Sequence, residues 1–173
     1  MSAMMQTEAM SQAEARNAFE AALRAHRGIV LKVAHNYASL PEDRADLAQE
    51  IAAQLWRAFP GYDPGRSLST WMYRIALNVA ISFVRQHGQR SRQHVPIGDE
   101  HADLAATTFD HESAQQVERL RQFIAAQPPM DRALLLLYLE ERPQREIGEI
   151  LGLSETHVST KIGRLKQRIR TEL

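Results

Sequence analysis

The sequence contains no cysteine, and this absence excludes two common ways of stabilising a small protein. Neither a disulfide framework nor a thiolate zinc site can form, which fits a reducing compartment. No apolar run approaches the length of a membrane-spanning helix. The first residues also lack the basic segment, apolar core and small-residue cleavage site of an export signal. We therefore expect a cytoplasmic protein that makes no membrane contact by itself.

Signatures of catalysis are also missing. The sequence holds no glycine-rich phosphate loop, no nucleophile elbow and no zinc-protease motif. Four histidines are spaced too irregularly to form a compact metal-ligand motif: His87, His94, His101 and His111. We predict a protein that is not an enzyme and that has no catalytic residue, no metal and no cofactor.

Charge is balanced overall but unevenly distributed. The 173 residues include 21 basic and 21 acidic side chains. Residues 66–92 hold five basic and no acidic residues, and residues 142–170 hold seven basic against three acidic. Between them, residues 99–118 hold six acidic and no basic residues. Two basic segments that flank an acidic one predict two separate surfaces for a polyanion such as DNA.

Apolar spacing predicts an all-α protein of two small domains. Residues 1–88 form the first domain, residues 89–114 a flexible acidic linker, and residues 115–173 the second domain. We expect the first helix to be capped by Ser11 after a frayed start, and the helix from Pro41 to bury one apolar face. A later helix is expected to be capped by Ser69 or Thr70, to end near His87-Gly88 and to carry this apolar face: Trp71, Ile75, Val79 and Phe83.

The second domain carries a helix-turn-helix pattern. Asp131 is expected to cap a short apolar helix, and Ile147 to Leu151 read as the next one. Gly152 supplies a turn residue that tolerates positive φ, and Ser154 is a good cap for the last helix. The exposed start of that helix is where side chains reach base edges in a major groove. An ordinary helical hairpin with a solvated basic face is the alternative, but Gly152, the Ser154 cap and the basic tail together favour DNA binding.

Four segments, in order along the chain, resemble motifs of one family, the extracytoplasmic-function subgroup of bacterial sigma factors. In the first half, residues 46–50 are similar to the family's D-L-x-Q-E helix and residues 62–66 to its aromatic-D-P-x-R loop. Residues 71–78 are similar to its W-L-x-x-I-A-x-N helix. In the second half, residues 146–155 are similar to its E-I-A-E-I-L-G-I-P-E turn. The resemblance covers most of the chain, from about Phe19 to Arg170. It implies that the two domains are sigma region 2, a helical bundle, and sigma region 4, a helix-turn-helix domain.

The resemblance also implies roles for individual residues. The clamp helices of RNA polymerase would be bound by Asp46, Gln49 and Glu50. The minus-ten element, melted to a single strand, would be held by Tyr62, Asp63, Arg66, Ser67, Ser69, Arg74, Asn78 and Arg85. The minus-thirty-five duplex would be contacted by Ser154, Glu155, Thr156, His157, Ser159, Thr160, Lys161, Arg164 and Arg168. For Trp71, Ile75 and Phe83 the apolar spacing favours a place in the core.

The resemblance implies three partners: core RNA polymerase, through its clamp helices and flap, promoter DNA, and an anti-sigma factor. The chain departs from the family pattern at Leu68, Ala52 and Ser82, and in the last helix at His157, Ser159 and Lys161. Because lysine cannot make the bidentate guanine contact of arginine, the promoter sequence does not carry over from relatives.

Two other function classes remain open at the sequence level. One is a stand-alone helix-turn-helix regulator with an N-terminal helical domain, which would be dimeric and bind palindromic half-sites. The other is a helical adaptor without DNA function. The loop at residues 62–66 and the helix around Asn78 have no role in the first of these alternatives, so the sigma-factor interpretation is preferred.

Overall fold

The structure is a computed structural model that describes residues 2–91 and 111–173, with side chains for residues 12–87 and 112–173. Within these ranges all regular structure is helical, which confirms the predicted all-α class. The helices are α1 (Ser2–Ala25), α2 (Arg27–Tyr37), α3 (Pro41–Ala58), α4 (Leu68–Ser91), α5 (His111–Ala126), α6 (Pro129–Leu139), α7 (Gln144–Leu151) and α8 (Glu155–Glu172), with a 3₁₀ turn at Phe59–Gly61.

The chain divides into two compact units, Met1–Ala80 and Ile81–Leu173. Most of the predicted linker, residues 92–110, lies outside the described residues. α4 continues to Ser91, past its predicted end at His87-Gly88, and α5 begins at His111. None of the described helices combines the length and the apolar character that crossing a membrane would require.

The core of the first unit is built mainly where α2 and α3 pack together. α3 buries Leu47, Ile51 and Leu55 completely, as their four-residue spacing predicts. Burying such a side chain contributes roughly 1.5–3 kcal/mol. Pro41 occupies the first turn of α3, where its missing N–H costs nothing, and Glu42 and Asp43 follow in that turn, where the helix dipole favours carboxylates. α1 begins at Ser2 and not after a cap at Ser11.

α4 buries a different face from the one predicted. Met72, Tyr73, Ala76, Leu77 and Ala80 are buried, whereas the predicted stripe of Trp71, Ile75, Val79 and Phe83 is only half-buried. The two alanines account for part of the error, because a pattern of large apolar side chains passes over alanine. Both alanines are nevertheless completely buried.

The start of α4 also differs from the prediction. The Ser67 Oγ accepts a hydrogen bond from the backbone N–H of Thr70 at 3.4 Å, so Ser67 stands in the cap position that was assigned to Ser69 or Thr70. The helix begins at Leu68, directly after this cap. The predicted single-strand contact Ser67 is therefore also a helix-capping residue.

The second unit is a cluster of helices in which α6 packs on both α7 and α8. Its buried residues include Leu134 and Leu137 from α6, Ile147 from α7, and Val158 and Ile162 from α8. α6 begins at Pro129 with Pro128 before it, and its cap forms no side-chain hydrogen bond, so the predicted cap at Asp131 is wrong. Proline suits the first helical turn, and this leaves the Asp131 carboxylate available to another partner.

The turn between α7 and α8 forms as its residues predict. Gly152 ends α7 in the left-handed conformation, with φ 69° and ψ 33°. The Gly148 carbonyl accepts N–H bonds from both Gly152 and Leu153. The Ser154 Oγ then caps α8 by accepting the His157 N–H at 3.2 Å. A Cβ on Gly148 would lie 2.5 Å from the Leu153 carbonyl oxygen, so α7 meets the turn before α8 at a point where there is no room for a side chain.

Candidate nucleic-acid interface

The loop between the 3₁₀ turn and α4 is held by its own hydrogen bonds. The Tyr62 hydroxyl donates to the Arg66 carbonyl at 2.6 Å, and the Asp63 Oδ1 accepts the Gly65 N–H at 2.9 Å. The Arg66 N–H donates to the Asp63 carbonyl at 3.0 Å and closes a tight turn. The Arg66 Nε is 3.9 Å from the Asp63 Oδ2, but both side chains are mostly exposed, so this ion pair contributes little.

An aromatic cluster supports this loop from below. The Tyr62 ring stacks on Phe59 with centroids 6.2 Å apart and lies 5.1 Å from Trp71. Phe59 in turn meets Phe19 edge-on at 5.3 Å, and Phe19 lies 5.1 Å from Trp56. Aromatic contacts of this kind add about 0.5–1.5 kcal/mol each beyond area burial. Trp71, predicted to be core, is half-buried at the edge of this cluster.

Three of the four predicted single-strand contacts on α4 are exposed, and Ser69 is half-buried. Arg74, Asn78 and Arg85 follow each other at intervals of four and seven residues, which places them on one face of the helix. The Ser69 Oγ is 3.2 Å from the Ser67 Oγ, so the two hydroxyls share a hydrogen bond next to the loop. The loop and the start of α4 thus carry cationic and hydroxyl groups.

α3 exposes the predicted polymerase contacts on the side opposite its buried stripe. Asp46, Gln49 and Glu50 are all exposed. The Glu50 Oε1 accepts a hydrogen bond from the Gln54 Nε2 at 3.0 Å. These residues form an acidic surface that is available to a basic partner.

The start of α8 exposes most of the predicted duplex contacts. Ser154, Glu155, Thr156, His157, Ser159, Thr160 and Arg164 are all exposed. The Thr160 hydroxyl donates to the Thr156 carbonyl at 2.9 Å, so it is already engaged within the helix.

Two of the predicted DNA contacts on α8, Lys161 and Arg168, are tied to other parts of the protein. The Lys161 Nζ is 3.1 Å from the Asp131 Oδ1 on α6. The Arg168 guanidinium donates to the Gln127 Oε1 at 2.8 Å and lies 5.3 Å from the Phe123 ring. Sequence reasoning missed both ties, because the partners are 30 and 41 residues apart. Lys161 and Arg168, which were predicted to contact DNA, therefore also have a structural role that competes with DNA contact.

The histidines give no metal site within the described side chains, where no group of three or more ligating residues is found. His87 stacks on Phe83 with centroids 4.0 Å apart, and its Nδ1 is 2.9 Å from the Phe83 carbonyl oxygen. His94 and His101, and the side chain of His111, lie outside the described part.

Comparison with known proteins identifies the family. Residues 22–90 match Sigma-70 region 2, and residues 118–169 match Sigma-70, region 4. The chain is 30% identical to the ECF RNA polymerase sigma factor SigM of Bacillus subtilis over 72% of this chain and 76% of SigM. The chain belongs to the sigma-70 family. Its similarity to proteins described as ECF sigma factors places it in the extracytoplasmic-function subgroup.

The match to two other relatives spans less than two thirds of each relative's length. The chain is 32% identical to the probable RNA polymerase sigma factor RfaY of Xanthomonas campestris over 74% of this chain, but the match spans only 33% of RfaY. The match to SigE of Mycolicibacterium smegmatis spans 60% of that protein at 28% identity. The solved structure of CnrH in complex with the cytosolic domain of CnrY shares the fold, with a TM-score of 0.65 at 20% identity over 92% of each chain.

Proposed function

We propose that this protein is a promoter-specificity sigma factor, which binds core RNA polymerase, recognises and helps to melt promoter DNA, and directs transcription initiation. It acts in the cytoplasm and catalyses no reaction itself. One observation carries the proposal: one chain joins a sigma region 2 module and a sigma region 4 module, each with an exposed surface suited to DNA.

The proposal keeps the domain boundaries that the sequence predicts. Residues 1–88 act as region 2, residues 115–173 as region 4, and residues 89–114 as the linker between them. The family matches at residues 22–90 and 118–169 support this division. A tether between two weak DNA contacts raises their effective concentration, so neither contact needs to be tight alone.

The loop and the exposed face of α4 hold the melted minus-ten strand. Opening a duplex costs a few kcal/mol per unstacked base, which must be offset by binding the separated strand. Cations that follow the backbone, such as Arg74 and Arg85, and polar groups around a flipped base provide that binding. The loop's internal hydrogen bonds support this role, because a preorganised pocket loses less entropy on binding. The residues assigned are Tyr62, Asp63, Arg66, Ser67, Ser69, Arg74, Asn78 and Arg85.

The exposed start of α8 reads the minus-thirty-five duplex. Thr156, His157 and Ser159 stand in the first turns, where recognition helices contact base edges. Arg164 stands one to two turns further along the helix, at a position suited to a phosphate. The exposure of these side chains supports the assignment.

Two surfaces bind core polymerase. The acidic face of α3, with Asp46, Gln49 and Glu50, contacts the clamp helices. An apolar groove of about 240 Å³ in the second unit receives the flap, and it is lined by Leu120, Ile124, Leu135, Tyr138, Leu139, Lys166, Ile169 and Arg170. Leu139 is 53% and its neighbour Tyr138 37% exposed, so the groove carries adjacent exposed apolar side chains.

An anti-sigma factor controls the protein by covering its polymerase-binding surfaces. CnrH, which shares this fold, has been solved with the cytosolic domain of CnrY bound to it. The exposed apolar groove of the second unit is a surface that such an inhibitor would cover.

Reconstitution with core RNA polymerase tests the proposal. We expect the purified chain to bind core polymerase and to direct run-off transcription from a specific promoter, whereas the chain alone binds that DNA weakly. A chain that fails to associate with core polymerase would refute the proposal. A dimer that binds duplex DNA tightly without polymerase, measured by sedimentation, would instead favour a stand-alone regulator.

A further inference from the structure

Lys161 lies on the flank of α8 that faces α6, although the sequence places it among the DNA contacts. Its Nζ is 3.1 Å from the Asp131 Oδ1, and the two side chains are only 33% and 20% exposed. Because water and salt reach this pair poorly, its attraction is screened less than that of a surface ion pair. Asp131 is fixed in the first turn of α6, where the helix dipole favours a carboxylate.

Helical geometry separates Lys161 from the cation that faces outward. Successive residues of a helix turn by about 100°. Lys161 lies next to the buried stripe of Val158, Ile162 and Leu165, whereas Arg164 lies about 60° further from it. Arg164 is exposed and makes no ion pair with any described residue. Arg164 is therefore available on the outward face of α8, whereas Lys161 is not.

We propose that Asp131 withholds Lys161 from DNA, so that α8 contacts the phosphates of a duplex with one cation fewer than its sequence carries. This inference rests on the proposed function, because it requires α8 to face duplex DNA. Asp131 is thus a positioning residue that acts through Lys161. It lowers the intrinsic DNA affinity of the free protein without touching DNA.

The salt dependence of DNA binding tests this proposal, because each neutralised phosphate adds about 0.9 to the slope of log K against log salt concentration. The full chain is titrated against a fluorescent random-sequence duplex of about 30 base pairs between about 50 and 200 mM salt. We expect Asp131→Asn to steepen the slope by about 0.9, an additional affinity loss of about 3.5-fold over that range. Lys161→Met should leave the slope of the parent protein unchanged, and it should abolish the increase when combined with Asp131→Asn.

Two control variants separate the ion pair from net charge and from folding. Asp131→Glu keeps the carboxylate and should keep the parent slope. Glu118→Gln removes the same charge from an exposed carboxylate of α5 that bonds the Gln122 amide, and it should not change the slope. Circular dichroism checks that each variant is folded. If Asp131→Asn unfolds the domain, the slope of Lys161→Met still decides the question.

Each outcome has a definite meaning. A slope that falls by about 0.9 in Lys161→Met alone would show that Lys161 already contacts a phosphate, and would overturn the inference. An unchanged slope in folded Asp131→Asn would also overturn it. Arg164→Ala tells the two hypotheses apart: if it lowers the slope while the Asp131 variant has no effect, DNA binding by α8 stands and only the inference fails. If no variant affects duplex binding, DNA recognition by α8 itself fails.

Discussion

Gly148 occupies the closest point between α7 and the turn to α8, and replacing it with valine should destabilise the second unit. The new Cβ would lie 2.5 Å from the Leu153 carbonyl oxygen, which is backbone and is held by the turn. Overpacking of this kind costs about 1–3 kcal/mol, against a few tenths of a kcal/mol gained because valine forms helix better than glycine. We therefore expect a net loss of about 2 kcal/mol, which lowers the melting temperature of a domain this small by roughly 8–16 °C.

Gly163 offers a matched control for this substitution. It lies within α8, and a Cβ there would meet nothing within 4 Å, so Gly163→Val should be neutral or slightly stabilising. Thermal melts followed by circular dichroism measure both variants. Both tryptophans, Trp56 and Trp71, belong to the first unit, so their fluorescence does not report directly on the mutated one. Hydrogen exchange of α7 and α8 then locates the change. Equal stability of the two valine variants would refute the packing argument.

Three further predictions concern the helix cap and the binding surfaces. Ser154→Ala should cost about 1 kcal/mol and speed amide exchange in the first turn of α8, because the His157 N–H loses its acceptor, whereas Ser159→Ala should be neutral. Arg74→Ala should weaken promoter opening several-fold, as measured by permanganate footprinting. Arg16→Ala, an exposed change on α1, is the control and should leave promoter opening unchanged. Equal effects of the two variants would contradict a role of α4 in strand binding. Leu139→Glu should weaken association with core polymerase, and because Leu139 is exposed, protein stability and duplex binding should stay unchanged. Val117→Glu, an exposed change outside the groove, is the control. If the Leu139 variant binds core polymerase as the parent does, the groove is excluded as the docking surface.

The sequence predicted the elements whose signals are local. The four-residue stripe of α3, the glycine turn after α7 and the serine cap of α8 are all decided within a few residues, and the structure has each of them. The resemblance to the family motifs then predicted that these helices form a region 2 domain and a region 4 domain.

Features that depend on distant residues or on small side chains were not predictable in this way. The buried face of α4 includes Ala76 and Ala80, which a search for large apolar side chains does not weigh. The ties of Lys161 and Arg168 join residues that only the packing of α8 on α5 and α6 brings together. The sequence shows which side chains of α8 are basic, but it does not show which of them already have a partner within the protein.

The hydrogen bonds that close the loop before α4 have a consequence for how promoter preference can change. The Arg66 backbone carbonyl and N–H hold the loop's shape, together with Tyr62 and Asp63. The side chain of Arg66 can therefore be exchanged while the path of the chain stays the same. A lineage that keeps Tyr62 and Asp63 can sample new nucleotide preferences by single substitutions, without having to fold a new loop each time.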